Sequence, residues 1–223
     1  MAWFSIVFRR QVTLRVFGLV PAAGRGERFG GDKLLAKWHD REILGHVLLK
    51  LGGARAAGLL AGTVVVHRPE DDAVRALAAE YRCHAESMRA SDGDLSMTLR
   101  TGIEHIKSRG SSDTQQAILI CLADQPMIRL DVIKVMVETW ARIGAVAVRP
   151  TYRDEPDRPG HPMLLDRSLW HLAGEMRGDS GLGPALAAHR IGVRTIPVAG
   201  KNPDVDTPED LKLLDGEPSE ATA

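Results

Sequence analysis

Three cations stand inside one glycine-rich stretch, Pro21-Ala-Ala-Gly-Arg-Gly-Glu-Arg-Phe-Gly-Gly-Asp-Lys33, directly after an apolar run that ends at Val20. Small residues leave backbone N–H groups uncovered, and a turn built from them forms an anion-binding concavity. Arg25, Arg28 and Lys33 add the positive charge that a polyphosphate needs, and the arginines can grip oxygens in pairs. The spacing excludes two familiar loops. A P-loop places Ser or Thr after Gly-Lys, whereas Asp32 precedes Lys33 and Leu34 follows it; a dinucleotide fingerprint starting at Gly24 needs Gly or Ala where Phe29 stands. Glycines often do no more than punctuate a connection, but three cations in the first loop weigh against that bland role.

Two aspartates are the natural complement to this loop. Asp124 follows the apolar run Ala117-Ile-Leu-Ile-Cys-Leu-Ala and precedes Gln125-Pro126, which puts it at the carboxyl end of a buried strand, where open α/β sheets bind ligands. Asp206 lies in Asn202-Pro-Asp-Val-Asp-Thr-Pro-Glu-Asp-Leu211. Thr207 is expected to cap a helix whose first residue is Pro208, with Glu209 and Asp210 at its positive end and Asp206 facing out of the loop. Mg²⁺ takes one or two carboxylates together with phosphate oxygens, so Asp124 and Asp206 are the expected metal pair. Loop aspartates also commonly cap turns, and each alone would read either way.

Apolar runs at Arg15–Val20, Thr63–His67, Ala117–Leu122, Val146–Arg149 and Val193–Pro197 have buried-strand length. Between them Ile43–Leu51, Asp71–Tyr81, Leu95–Lys107 and Leu130–Ile143 place apolar residues at helical intervals. That alternation predicts βαβ units around a mostly parallel sheet, an α/β fold with one domain over 14–215. Residues 1–13 are expected to be a peripheral N-terminal extension and 216–223 a loose tail. Thr151–Pro162, with three prolines, is expected to be a surface excursion. His161 sits there between Gly160 and Pro162, a restricted backbone that either aims its ring into a cleft or merely shapes a turn. His46 and His105 fall on helical stretches without ligand spacing and are expected to be ordinary helix residues. Trp38, Trp140 and Trp170 are expected to pack.

Composition narrows the classes further. The 223 residues carry 29 basic and 29 acidic side chains, so nothing argues for nonspecific nucleic-acid binding. The apolar opening Met1–Phe8 is too short for a membrane span, and no membrane association is expected. Cys83 and Cys121 fit neither a zinc spacing nor a disulfide framework, which points to a reducing, cytoplasmic setting.

The glycine-rich loop, Leu122-Ala-Asp-Gln-Pro126, Pro159-Gly-His-Pro162 and Asp204-Val-Asp-Thr-Pro-Glu-Asp-Leu211 together, in that order, resemble the MobA-like nucleotidyltransferases, from about Val16 to Leu214. The nearest resemblance is to the molybdenum cofactor cytidylyltransferase branch. It implies a Rossmann-like three-layer fold in which Pro21, Ala22, Ala23, Gly24, Arg25, Gly26 and Lys33 hold the triphosphate, Lys33 contacts phosphate, and Asp124 and Asp206 bind Mg²⁺. Lys33, Arg25, Asp124 and Asp206 would be the catalytic set. Gly93-Asp-Leu-Ser96-Met-Thr98-Leu-Arg100-Thr-Gly102 is similar to the family's Gly-x-Ser-x-Ser-Leu-Arg-x-Gly, with one extra residue and a threonine for the second serine, so Ser96 and Thr98 would touch the nucleotide. Gly178-Asp-Ser-Gly181 matches its Gly-Asp-x-Gly segment.

Ala23 stands where the guanylyl branch has glycine, which favours CTP over GTP. The resemblance also implies a molybdopterin-type acceptor carrying molybdenum, His161 on the acceptor side, and a molybdenum hydroxylase as the user of the product. Guanylyl transfer and sugar or polyol phosphate cytidylyl transfer are alternatives on the same fold. A nucleotide-binding chaperone for a molybdenum enzyme is a third, disfavoured because both carboxylates are intact.

Overall fold

The computed structural model describes residues 14–90, 93–109 and 115–215; the expected extension and tail lie outside them. Strands β1 (Leu14–Pro21), β2 (Lys37–Trp38) and β3 (Arg41–Glu42) lead into helix α1 (Ile43–Ala56), followed by β4 (Gly62–His67), α2 (Asp72–Glu80), β5 (His84–Ser87) and α3 (Leu95–Ser108). The chain continues through β6 (Gln115–Ile120), α4 (Leu130–Ile143), β7 (Ala147–Tyr152), β8 (Met163–Asp166), a 3₁₀ segment (Arg167–Gly174), α5 (Gly183–Ala188), β9 (Arg194–Val198) and α6 (Pro208–Asp215). Seven strands form one sheet in the order β5-β4-β1-β6-β8-β7-β9, parallel except for β8, which runs antiparallel to both neighbours. β2 and β3 make a separate small hairpin.

Period-two alternation along the central strands sends side chains to both faces. Val16 and Val20 of β1, with Ala117 and Leu119 of β6, pack under α1, α2 and α4. Phe17 and Leu19, with Ile118 and Ile120, pack under α3, the 3₁₀ segment and α5. Both faces are therefore covered, which is why these strands read as continuous apolar runs and the architecture has three layers. Trp140 and Trp170 are fully buried packing residues whose indole N–H groups donate to Asp166 Oδ2 (2.8 Å) and to the Leu165 carbonyl (3.1 Å). Among the described residues no helix is long and apolar enough to cross a membrane.

The five expected strands and four expected helices are all present, with informative differences at their edges. α1 runs five residues past Leu51, because Gly52 and Gly53 stay helical although they interrupt the apolar period. β7 continues through Thr151 and Tyr152, held in register by β9, so the surface excursion begins at Arg153. β5 is an edge strand of polar composition with no apolar run to announce it, and the apolar run of β8, Met163-Leu164-Leu165, is only three residues long.

α3 packs on β1 at unusually close range. A Cβ built on Gly102 would lie 2.2 Å from Leu19 Cδ1 and 3.0 Å from Val66 Cγ2, and both neighbours are fully buried. Both are side-chain ends locked in the packed core, which yield only by disturbing their own neighbours. Gly102→Val should therefore destabilise the fold by about 3 kcal/mol through overpacking, read as a lower urea midpoint at unchanged slope. An unchanged midpoint would show that the helix can shift off the sheet at no cost.

Candidate active site

The chain runs from β1 outward to β4 and β5, then returns to the other side of β1 as β6. The carboxyl ends of β1 and β6 thus flank the point where strand order reverses, and there the ends of crossover loops leave a crevice. A cleft of about 920 Å³ opens at this point. Pro21, Ala23, Gly24, Arg25 and Gly26 form one wall, with Arg28 and Lys33. Asp124, Asp204 and Asp206 face them.

The first loop closes on itself. Gly26 is left-handed (φ 61°), and a Cβ there would meet Lys33 Cβ at 3.1 Å and the Gly31 carbonyl at 3.2 Å, so both conformation and space call for glycine. The Lys33 N–H donates to the Gly31 carbonyl at 2.8 Å, and Lys33 opens a 3₁₀ turn whose Leu34 is buried. Its ammonium is delivered between two carboxylates. Lys33 Nζ donates to Asp124 Oδ2 at 2.6 Å and to Asp206 Oδ1 at 3.2 Å, while Arg28 lies 3.0 Å from Asp206 Oδ2.

Local structure explains why Asp124 and Asp206, far apart in the chain, arrive together. The extended chain beyond β6 continues beside β1 through the Cys121 N–H, which donates to the Leu19 carbonyl at 2.9 Å. The Val205 N–H then donates to the Asp124 carbonyl at 2.9 Å. Gln125 Nε2 donates to Asp204 Oδ1 at 2.7 Å, and Asn202 Nδ2 donates to Gln125 Oε1 at 2.9 Å. Val205 is fully buried with Ile43 and Leu214 beneath this junction. Thr207 caps α6 as expected: its Oγ1 accepts from the Asp210 N–H at 3.2 Å, and Asp210 Oδ2 accepts from the N–H groups of Asp206 and Thr207.

Charge in the cleft is unbalanced. Among its described lining residues Arg25, Arg28 and Lys33 face Glu27, Asp94, Asp124, Asp179, Asp204 and Asp206, so acids outnumber bases two to one. An anionic triphosphate entering such a cleft needs further positive charge, and paired aspartate oxygens are hard-cation donors. The donor set therefore fits a divalent ion. Burial lowers the affinity of Lys33 for its proton, but the charges and hydrogen bonds of Asp124 and Asp206 outweigh it, and its pKa is raised. Burial pushes the Asp124 carboxyl up as well; Lys33 pulls back only in part, and the charge of Asp204 adds to the rise.

The remaining expected residues divide. Thr98 lines the cleft, its hydroxyl donating to the Asp94 carbonyl at 3.0 Å. Ser96 does not reach it: the residue is fully buried, with its hydroxyl donating to Asp94 Oδ1 (2.6 Å) and accepting from Arg100 (2.7 Å). Ala22 is buried behind the loop and does not line the cleft. His161 does not line it either. Its carbonyl accepts from Tyr152 Oη at 2.8 Å, and burial, with the positive charge of Arg149, pushes its imidazole down to about 4, against a smaller pull from Asp124.

Sequence reasoning passed over Gln125 and Asp204, which tie the two acidic loops together. Both stand in the motifs that carry the family resemblance, one beside Asp124 and the other two residues before Asp206, and that was their signal. It also passed over Asp94 and Asp179, whose carboxylates cap the start of α3 by accepting from Met97 N–H (2.9 Å) and Leu95 N–H (3.0 Å). The protein's own acids thus satisfy a helix end that would otherwise attract phosphate.

The family model described as MobA-like NTP transferase domain matches residues 18–193. The chain belongs to that family. It is a nucleotidyltransferase with the three-layer fold expected from its motifs. Rv0371c from Mycobacterium tuberculosis H37Rv is 26% identical, with a TM-score of 0.74 over 91% of this chain and 98% of that one. A second structure of that protein is a complex with manganese (24% identity, TM-score 0.71, 91% and 98% covered). The molybdopterin-guanine dinucleotide biosynthesis protein A of Archaeoglobus fulgidus shares the fold at 18% identity (TM-score 0.62, 89% and 95% covered). So does a CMP:2-keto-3-deoxy-manno-octonic acid synthetase complexed with CTP, at 14% (TM-score 0.66, 91% and 96% covered). Among curated proteins none matches.

The half-buried imidazole of His161 generates a pH prediction. Its folded pKa lies below the unfolded value of 6.5, so the unfolded chain binds the extra proton first and stability falls between pH 6.5 and about 4. Over that window the wild type should lose about 3 kcal/mol more than His161→Gln. Urea unfolding of both proteins at pH 7 and pH 4 measures the difference, and parallel losses would place the ring in water.

Proposed function

We propose that this protein is a Mg²⁺-dependent cytidylyltransferase that transfers CMP from CTP to the terminal phosphate of a molybdopterin-type acceptor carrying molybdenum, with release of pyrophosphate. The observation that carries the reading is the meeting of Lys33, Asp124 and Asp206 at the carboxyl ends of β1 and β6. An acceptor phosphate oxygen attacks the α-phosphorus in line, a new P–O bond forms, and the bond to the β-phosphate oxygen breaks. An acceptor phosphate monoester has its second pKa at about 6, so the nucleophile is already anionic near neutral pH and needs no strong base. Placement and charge neutralisation are the work left to the protein.

Asp124 and Asp206 would hold Mg²⁺, which when bound supplies charge neutralisation to the phosphates. Lys33 presents a fixed ammonium at the centre of the cleft, and Arg25 lines the same wall, exposed to an entering triphosphate. The loop from Ala23 to Gly26 offers its backbone amides to phosphate oxygens, with Gly24 and Gly26 keeping that wall open. Thr98 bounds the nucleotide side. Buried Ala23 lines the cleft, and the resemblance to the cytidylyl branch at this position supports CTP over GTP. His161, half-buried and kept neutral near pH 7 by desolvation and the charge of Arg149, belongs to the acceptor side in this reading. A molybdenum hydroxylase would receive the product.

The protein is incubated with each of the four nucleoside triphosphates, Mg²⁺ and purified molybdenum cofactor, and pyrophosphate is measured. A signal with CTP alone, dependent on the cofactor, is the expected result; a GTP signal would move the chain to the guanylyl branch. Asp124→Ala and Asp206→Ala should each lower the rate by about 10²-fold or more. Near-normal Mg²⁺-dependent release in both variants would remove these carboxylates from the reaction.

A further inference from the structure

A second convergence of ligand-type side chains lies away from the cleft. His84 and Glu86 are two residues apart on β5 and so project from one face of the sheet, while Ala85 between them packs toward the opposite face with α1 and α2. α3 covers the face that His84 and Glu86 share, and His105 on that helix completes the group. Glu86 Oε2 lies 2.7 Å from His105 Nδ1 and 3.1 Å from His84 Nε2. The two imidazoles stack with centroids 4.1 Å apart and planes inclined by 24°. All three ligand atoms fall within 4.8 Å of one another.

We propose that His84, Glu86 and His105 form a Zn²⁺ site that clamps the edge strand β5 to α3. A tetrahedral zinc with ligands at about 2.0–2.1 Å holds its ligand atoms about 3.3 Å apart. That spacing is slightly longer than the two Glu86 contacts and shorter than the 4.8 Å limit of the group, so the three atoms would close on one ion as the stacked rings turn toward it. Three protein ligands leave a fourth position for water or an exogenous donor. Two imidazole nitrogens favour zinc over magnesium, whereas the all-oxygen pair in the cleft favours the hard ion, so the two sites separate by metal as well as by place.

The position gives the clamp a mechanical meaning. Among the described strands β5 pairs with β4 alone, and just beyond its end the Met88 sulfur lies 3.3 Å from Thr98 Oγ1 on α3. Thr98 lines the cleft, and His105 follows it by seven residues, about 10 Å along the same helix. Zinc at the far end would fix the strand and helix that carry this wall.

Metal-stripped full-length protein is titrated with Zn²⁺ by calorimetry, in excess Mg²⁺, and its melting temperature is read with and without Zn²⁺. The wild type and an Asp124→Asn/Asp206→Asn variant should bind zinc alike and melt higher with it. His84→Gln and His105→Gln should bind about tenfold or more weakly and lose the melting shift. His84 is exposed, so its variant keeps the fold even where the His105 replacement disturbs packing, and circular dichroism checks both. Failure of the wild type to take up zinc would overturn the proposal. Unchanged affinity in the two histidine variants, or loss only in the aspartate variant, would do so equally, and each outcome is independent of the cytidylyl reading.

Discussion

One ammonium between two carboxylates organises the mouth of the sheet. Asp124 and Asp206 are pressed together by the loops that carry them, and without a cation between them their repulsion would act across a partly buried gap. Lys33 supplies the cation from a third loop, so a single pair of hydrogen bonds joins the end of β1, the end of β6 and the entrance to α6. In the proposed reaction the same arrangement presents one positive and two negative groups to a triphosphate and its metal. Stability and chemistry then rest on the same three side chains.

The rest of the fold can be understood as support for that contact. Covered faces hold β1 and β6 rigid, and the reversal of strand order beside β1 leaves space at their carboxyl ends. Val205 and Gln125 carry the positional information between the acidic loops, one by a backbone hydrogen bond and burial, the other by an amide that bridges Asp204 and Asn202. The acids at the start of α3 act differently. Asp94 and Asp179 use their oxygens on backbone N–H groups, leaving the glycine-rich loop as the cationic wall.

Legibility followed the physics of each segment. β1, β4 and β6 were visible because burial on both faces demands unbroken apolar runs. β5 was not, since His84-Ala-Glu-Ser is polar and sits at an edge. Helix geometry separates two residues read together: Ser96 and Thr98, two apart on α3, point about 200° apart, so Thr98 lines the cleft while the Ser96 hydroxyl turns to Asp94 and Arg100. His105 read as an ordinary helix residue because its partners are more than a helix away in the chain, beyond any ligand spacing.

By itself the sequence determined the strand-and-helix rhythm, the cationic glycine loop and the identity of the two aspartates, because periodicity and residue chemistry are local properties. Only the tertiary structure decided that Lys33 stands between those aspartates and that Glu86 meets two histidines from different elements. Such meetings depend on strand order and on the rotation of a helix about its axis. Both are set by packing across the whole sheet, and no stretch of neighbouring residues encodes them.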